Sequence, residues 1–107
     1  MRTHRMHFRA GELGLGVFRP QGRGMSVNWS KYASKEETRQ QAKSPEDNAV
    51  ISLPVGGIRG ISGLTVEHTP ETQNRAHSDV FGMPNDREQL AETRVLLGRI
   101  AEVVLPL

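Results

Sequence analysis

His68, Asn74, His77 and Asp79 stand close together in the chain and are the residue types best suited to acid–base work. Alternation along a strand puts His77 and Asp79 on one face, so the carboxylate could orient the imidazole. His68 ends a strand of its own beside the Asn74 loop. Two imidazoles brought together there would flank a phosphate or a scissile bond as acid and base. Arg19 and Arg59 are the candidates to hold phosphate, because a guanidinium grips two oxygens at once.

Two of these residues have a plainer reading. His68 follows Leu64 and Val66 on the face expected to be core, where a histidine bonded to backbone is the commoner outcome. Arg59, between Ile58 and Ile61, suits an edge-strand charge that discourages sheet-to-sheet pairing. Ser26 has no base beside it in the sequence and is not read as a nucleophile. A metal site needs at least three converging ligands, and Glu67 points away from His68, so no metal is assigned. Cysteine is absent, which removes disulfides, thiolate metal sites and a thiol nucleophile. The residues imply no cofactor.

These side chains need elements to carry them. Glycines at 11, 14, 16, 22 and 24 surround Val17, Phe18, Arg19 and Pro20, a loop, short strand, loop pattern without the Gly-Lys-Ser/Thr signature of a phosphate loop. Met25 to Trp29 alternate as a half-buried strand, with Val27 and Trp29 on one face and Trp29 as core anchor. Ser34 and Glu37 have capping-box spacing, which predicts a surface helix from Lys35 to about Lys43. Ile51, Leu53 and Val55 predict a strand, Gly56 and Gly57 a turn or bulge, and Ile58 to Ile61 a resumed strand. Leu64 to His68 give the clearest strand pattern, closed by Pro70. A short apolar piece spans Ala76 to Phe81. Asn85 with Glu88 suggests a second helix start, and Leu90, Leu97 and Val104 at seven-residue spacing predict a packing helix from Leu90 to Leu105.

The chain has 107 residues, 36% hydrophobic and 24% charged, which fits a single domain over residues 1–107 with one modest core. The expected fold class is α+β: a small, mostly antiparallel sheet of four or five strands, a C-terminal packing helix and a short peripheral helix. Fourteen Lys and Arg against twelve Asp and Glu leave a net charge of +2. The excess lies at the front, where Arg2, Arg5 and Arg9 suggest a flexible basic segment over residues 1–12. With no apolar run of signal-peptide length, the expected location is cytoplasmic, with no membrane partner.

Phe18-Arg19-Pro20, Met25-Ser26-Val27, His68-x-Pro70 and Asn74-x-Ala76-His77, in that order, resemble a pattern of short, uncharacterised bacterial and phage proteins. That group has an apolar-Arg-Pro segment, a Leu-Ser-Val segment and a closing His-Pro/Asn-x-Ala-His segment. The likeness runs from Val17 to Gly82, and Met25 stands where leucine is usual. It implies a bacterial or viral accessory protein and no particular reaction.

The leading expectation is therefore an accessory or interaction protein. Its C-terminal helix is apolar over so much of its circumference that a homodimer or a protein partner should cover it. A histidine-based phosphodiester or nucleotide-processing enzyme is the alternative. A nucleic-acid-binding protein acting through the basic N-terminal segment is the third reading.

Overall fold

The computed structural model describes residues 1–20, 22 and 24–107. It is α+β, and every strand pairing in it is antiparallel. In chain order the elements are β1 (Arg2–His4), β2 (Phe8–Arg9), β3 (Glu12–Leu13), β4 (Met25–Asn28), α1 (Lys35–Gln40), β5 (Asn48–Ser52), α2 (Val55–Arg59), β6 (Thr65–His68), β7 (His77–Phe81), α3 (Arg87–Ile100) and β8 (Glu102–Leu105). Where one small sheet was expected, the strands form two three-stranded sheets, ordered β1-β5-β8 and β4-β7-β6, plus the β2-β3 hairpin.

Phe18, Met25, Ile51, Ile58, Val80 and Leu97 form the centre of the core, each at most 2% exposed. Met25 and Val80 face each other across β4 and β7, so the inner face of that sheet supplies one wall. Leu97 brings in α3, and the Arg94 Nε–H donates to the Phe18 carbonyl at 2.8 Å, fastening the helix to the loop before β4. Trp29 is not the core anchor: it is 38% exposed. It follows the last residue of β4, where the core no longer covers it, and Phe18 fills the centre instead.

Several boundaries differ from the sequence reading, for identifiable reasons. The Ser34–Glu37 capping box forms with both of its hydrogen bonds, at 3.0 and 3.1 Å. The helix it starts, however, ends at Gln40. α3 starts one residue later than Asn85 implied: Asp86 is the N-cap and accepts from the Gln89 N–H. It stops at Ile100, because Ala101 turns extended and the β-branched run Val103, Val104 pairs with the free edge of β5. Val104 therefore continues the heptad count in sequence only.

The stretch after β5 also differs. Pro54 caps α2, so Val55 to Arg59 are helical rather than strand, and Arg59 is not an edge-strand charge. Gly57 packs against Ile100, whose side chain would crowd an added Cβ at 3.0 Å. Leu15 to Val17 form a 3-10 turn in place of a strand. Arg2 to His4, within the basic N-terminal stretch, form β1 along β5, with Thr3 fully buried.

Candidate active site

β7 runs between β4 and β6, so outward side chains of all three strands meet above it. Across β4, Ser26 lies opposite Asp79 and Asn28 opposite His77. The Trp29 N–H donates to the Ala76 carbonyl at 2.8 Å, which makes that a hydrogen-bonded pair. Alternation then puts Asn28/His77 and Ser26/Asp79 in the non-hydrogen-bonded positions, where facing side chains stand closest.

On the β6 side the ladder runs out at Thr69. Its N–H donates to the His77 carbonyl at 3.1 Å, but the His77 N–H turns to the Asn74 carbonyl at 3.2 Å. The Thr69 carbonyl is left to the ring of His77 and lies 2.9 Å from Nδ1. A carbonyl only accepts, so in the neutral ring Nδ1 carries the proton and Nε2 presents a lone pair. The Thr69 hydroxyl, 3.1 Å from Nδ1, donates to Asp79 Oδ2 at 2.8 Å. Asp79 Oδ2 itself lies 3.9 Å from Nδ1, and the His77 and Asp79 side chains are 17% and 18% exposed.

Nε2 faces Ser26 Oγ at 3.4 Å and Glu71 Oε1 at 3.7 Å. The serine contact is loose, as contacts between a base and a nucleophile commonly are before substrate binds. Ser26, which sequence reasoning set aside for want of a base, thus has an imidazole nitrogen within reach. Alternation already placed Ser26 and Asn28 on the face away from Val27, and His77 with Asp79 on one face. The missing knowledge was that β4 pairs with β7, which joins residues 51 apart in the chain. Thr69 and Glu71 had no signal beyond following His68.

Ser26 also lines a cleft of about 670 Å³ together with Arg2, His4, His7, Arg19 and Lys43, and none of the described lining residues is acidic. His7, in the same cleft, has its imidazole held below its ordinary pKa, first by burial and then by the Arg19 and His4 charges.

Asn74 acts as a brace. Its Nδ2 donates to Asn28 Oδ1 at 2.8 Å, while its Oδ1 accepts from Ala76 N–H at 3.2 Å and from Gln41 Nε2 at 3.3 Å. His68 lies opposite Ser78, which puts it on the other face of the sheet from His77 and Asp79. The two imidazoles therefore do not flank one bond. His68 Nε2 meets the Arg75 carbonyl at 2.7 Å, and its ring stacks on Tyr32 and sits edge-on to Trp29. Arg59 lines a second cavity on that side, along with His68, so Arg19 and Arg59 do not converge. Glu67 is opposite Asp79. Among the described residues no group of three or more His, Asp or Glu is placed to hold a metal ion.

Met25-Ser26-Val27 pairs with the strand that His77 begins, and Arg19 lines the cleft that Ser26 also lines. Comparison with protein-family models, curated proteins and solved structures returned no match.

Proposed function

We propose that the protein is a small hydrolase of phosphorylated substrates, a phosphodiester- or nucleotide-processing enzyme in which His77 is the general base and Ser26 the hydroxyl it activates. The observation that carries this reading is the orientation of one ring. Thr69 holds the His77 Nδ1 side, and the Nε2 lone pair faces Ser26 Oγ at the wall of a cationic cleft without a described acidic residue.

Nε2 takes the Ser26 proton as Oγ bonds to phosphorus; the bond from phosphorus to the leaving oxygen breaks, and that oxygen takes the proton from the imidazolium. Water, deprotonated by the same Nε2, then cleaves the phosphoserine bond and restores the hydroxyl. Asp79 and Glu71 stabilise the transient imidazolium, and Arg19, Arg2 and Lys43 hold the non-bridging oxygens. Hydrolysis of bis(p-nitrophenyl) phosphate and of dinucleotides by the purified chain tests this. The expected result is turnover that falls about 10²–10⁴-fold in His77→Ala and Ser26→Ala and a raised KM in Arg19→Ala. No turnover of any such substrate, or an unchanged rate in His77→Ala, would overturn it.

The interaction reading keeps one supporting observation. Val95 and Leu96 stand 40% and 39% exposed on α3. Its wider premise has narrowed, since Val103 to Leu105 belong to β8 rather than to the helix. A homodimer joined through α3 would show a concentration-dependent sedimentation coefficient that Leu96→Glu abolishes. A bacterial or phage origin rests on the resemblance, and a cytoplasmic location on the arginine-interrupted sequence before Leu13. No helix among the described residues is long and apolar enough to cross a membrane.

A further inference from the structure

A second cavity, of about 510 Å³, opens on the other side of β4 from Ser26. Its walls come from both three-stranded sheets and from α2: Val27, Ile51, Leu53, Ile58 and Val66 make it predominantly apolar. Its volume falls within the range of sites that enclose small organic ligands, about 300–1,000 Å³. Such sites pair an apolar chamber with a few polar groups that fix orientation.

Here the charged side chains among the described lining residues are Lys35 and Arg59, and none is acidic. Both are exposed, which puts them at the opening, and neither makes a salt bridge among the described residues. Lys35 is also the first residue of α1, where a positive charge opposes the helix dipole; helix stability does not account for it. Trp29 and His68 line the same cavity, and their edge-to-face contact holds both rings in place.

We infer that this cavity binds an amphipathic carboxylate: the hydrocarbon body occupies the chamber between the sheets, and the carboxylate meets Arg59 and Lys35. A neutral apolar molecule would gain nothing from the two cations, which water would continue to solvate, and an amphipathic cation would meet two like charges. The Ser26–His77 arrangement plays no part in the inference, so either reading can fail without the other.

Isothermal titration of the full chain with decanoate, decanol and decyltrimethylammonium, all below their micellar concentrations, tests it. Decanoate should bind, at least about tenfold more tightly than decanol, a margin of about 1.4 kcal/mol. Binding should strengthen roughly fourfold for each methylene added from octanoate to decanoate. Arg59→Ala and Lys35→Ala should each erase most of the preference for decanoate while leaving decanol unchanged. Leu53→Trp, shown to be folded by circular dichroism, should weaken decanoate and decanol alike by filling the chamber. The inference is overturned if decanoate does not bind, if decanol binds as tightly, if the two charge variants leave the preference intact, or if folded Leu53→Trp binds decanoate as the parent does.

Discussion

His77 shows how one backbone detail decides what a side chain can do. The β6–β7 ladder stops a residue short of completing its last pair, and the freed Thr69 carbonyl fixes the ring so that Nε2 is the acceptor. Long-range proton–nitrogen NMR spectra at neutral pH should therefore show His77 as the Nδ1–H tautomer; the opposite tautomer would remove its role as a base toward Ser26. His7 offers a second check at this scale. Burial, then Arg19 and His4, keep its pKa below the ordinary 6.5. Folded His7 binds a proton less readily than the unfolded chain does. It thus contributes stability that is present above the unfolded value and is lost as pH falls through the lower folded one. Its NMR titration midpoint should lie below 6.5 in the free protein and rise when inorganic phosphate is added, because an anion in the cleft favours the charged ring. An unmoved midpoint would count against anion binding beside it. Of the residues singled out from sequence, His77, Asp79 and Asn74 lie at or beside the ring and Arg19 at the cleft, whereas His68 and Arg59 lie at the other cavity. Sequence alone could not give Ser26 its base, since cross-strand register lies in no local pattern.

At the scale of elements, local signals were legible where they were closed loops of hydrogen bonds. The Ser34–Glu37 box could be read directly because donor and acceptor are three residues apart, and Glu37 is held below its usual carboxylate pKa by those bonds to Ser34. Ser34→Ala should cost about 1 kcal/mol in denaturant unfolding. Periodicity misled where tertiary pairing competed with it. The sequence from Val103 to Leu105 satisfies a helical stripe and a strand equally well, and the open edge of β5 decides for the strand. Leu97 keeps its place under either assignment and is fully buried. Leu97→Ala should therefore cost about 2–5 kcal/mol, whereas exposed Glu92→Ala should stay within about 0.5 kcal/mol. Thermal denaturation of the two variants compares them, and equal small shifts would mean that α3 does not pack through Leu97. Gly82 has a φ of 95° and an added Cβ would run into the Gly63 carbonyl, so Gly82→Ala should lower the melting temperature sharply.

Across the whole molecule, β4 divides two sites. Met25 and Ser26 line a cationic cleft, and Val27 and Asn28, with Trp29 after them, line an apolar chamber. A net charge of +2 conceals this arrangement, since what matters is that the cleft gathers Arg2, Arg19 and Lys43 with no acid among its described lining residues. If substrates enter by charge, KM for a phosphodiester should rise as salt increases while kcat holds nearly constant. A KM indifferent to salt would argue that the cleft is not the entry. Nucleic acid would exploit the same field, but removing Met1 to Arg9 is a poor probe of it, because β1 and the buried Thr3 go with the deletion. Arg2→Gln combined with Arg19→Gln keeps the strand and tests the charge alone. The most direct test of the central claim is covalent: incubate the folded chain with diisopropyl fluorophosphate and locate any adduct by peptide mass spectrometry. An activated serine beside His77 should take a single phosphoryl group at Ser26, and folded His77→Ala should take none. An unmodified Ser26, or one modified equally in His77→Ala, would contradict the account.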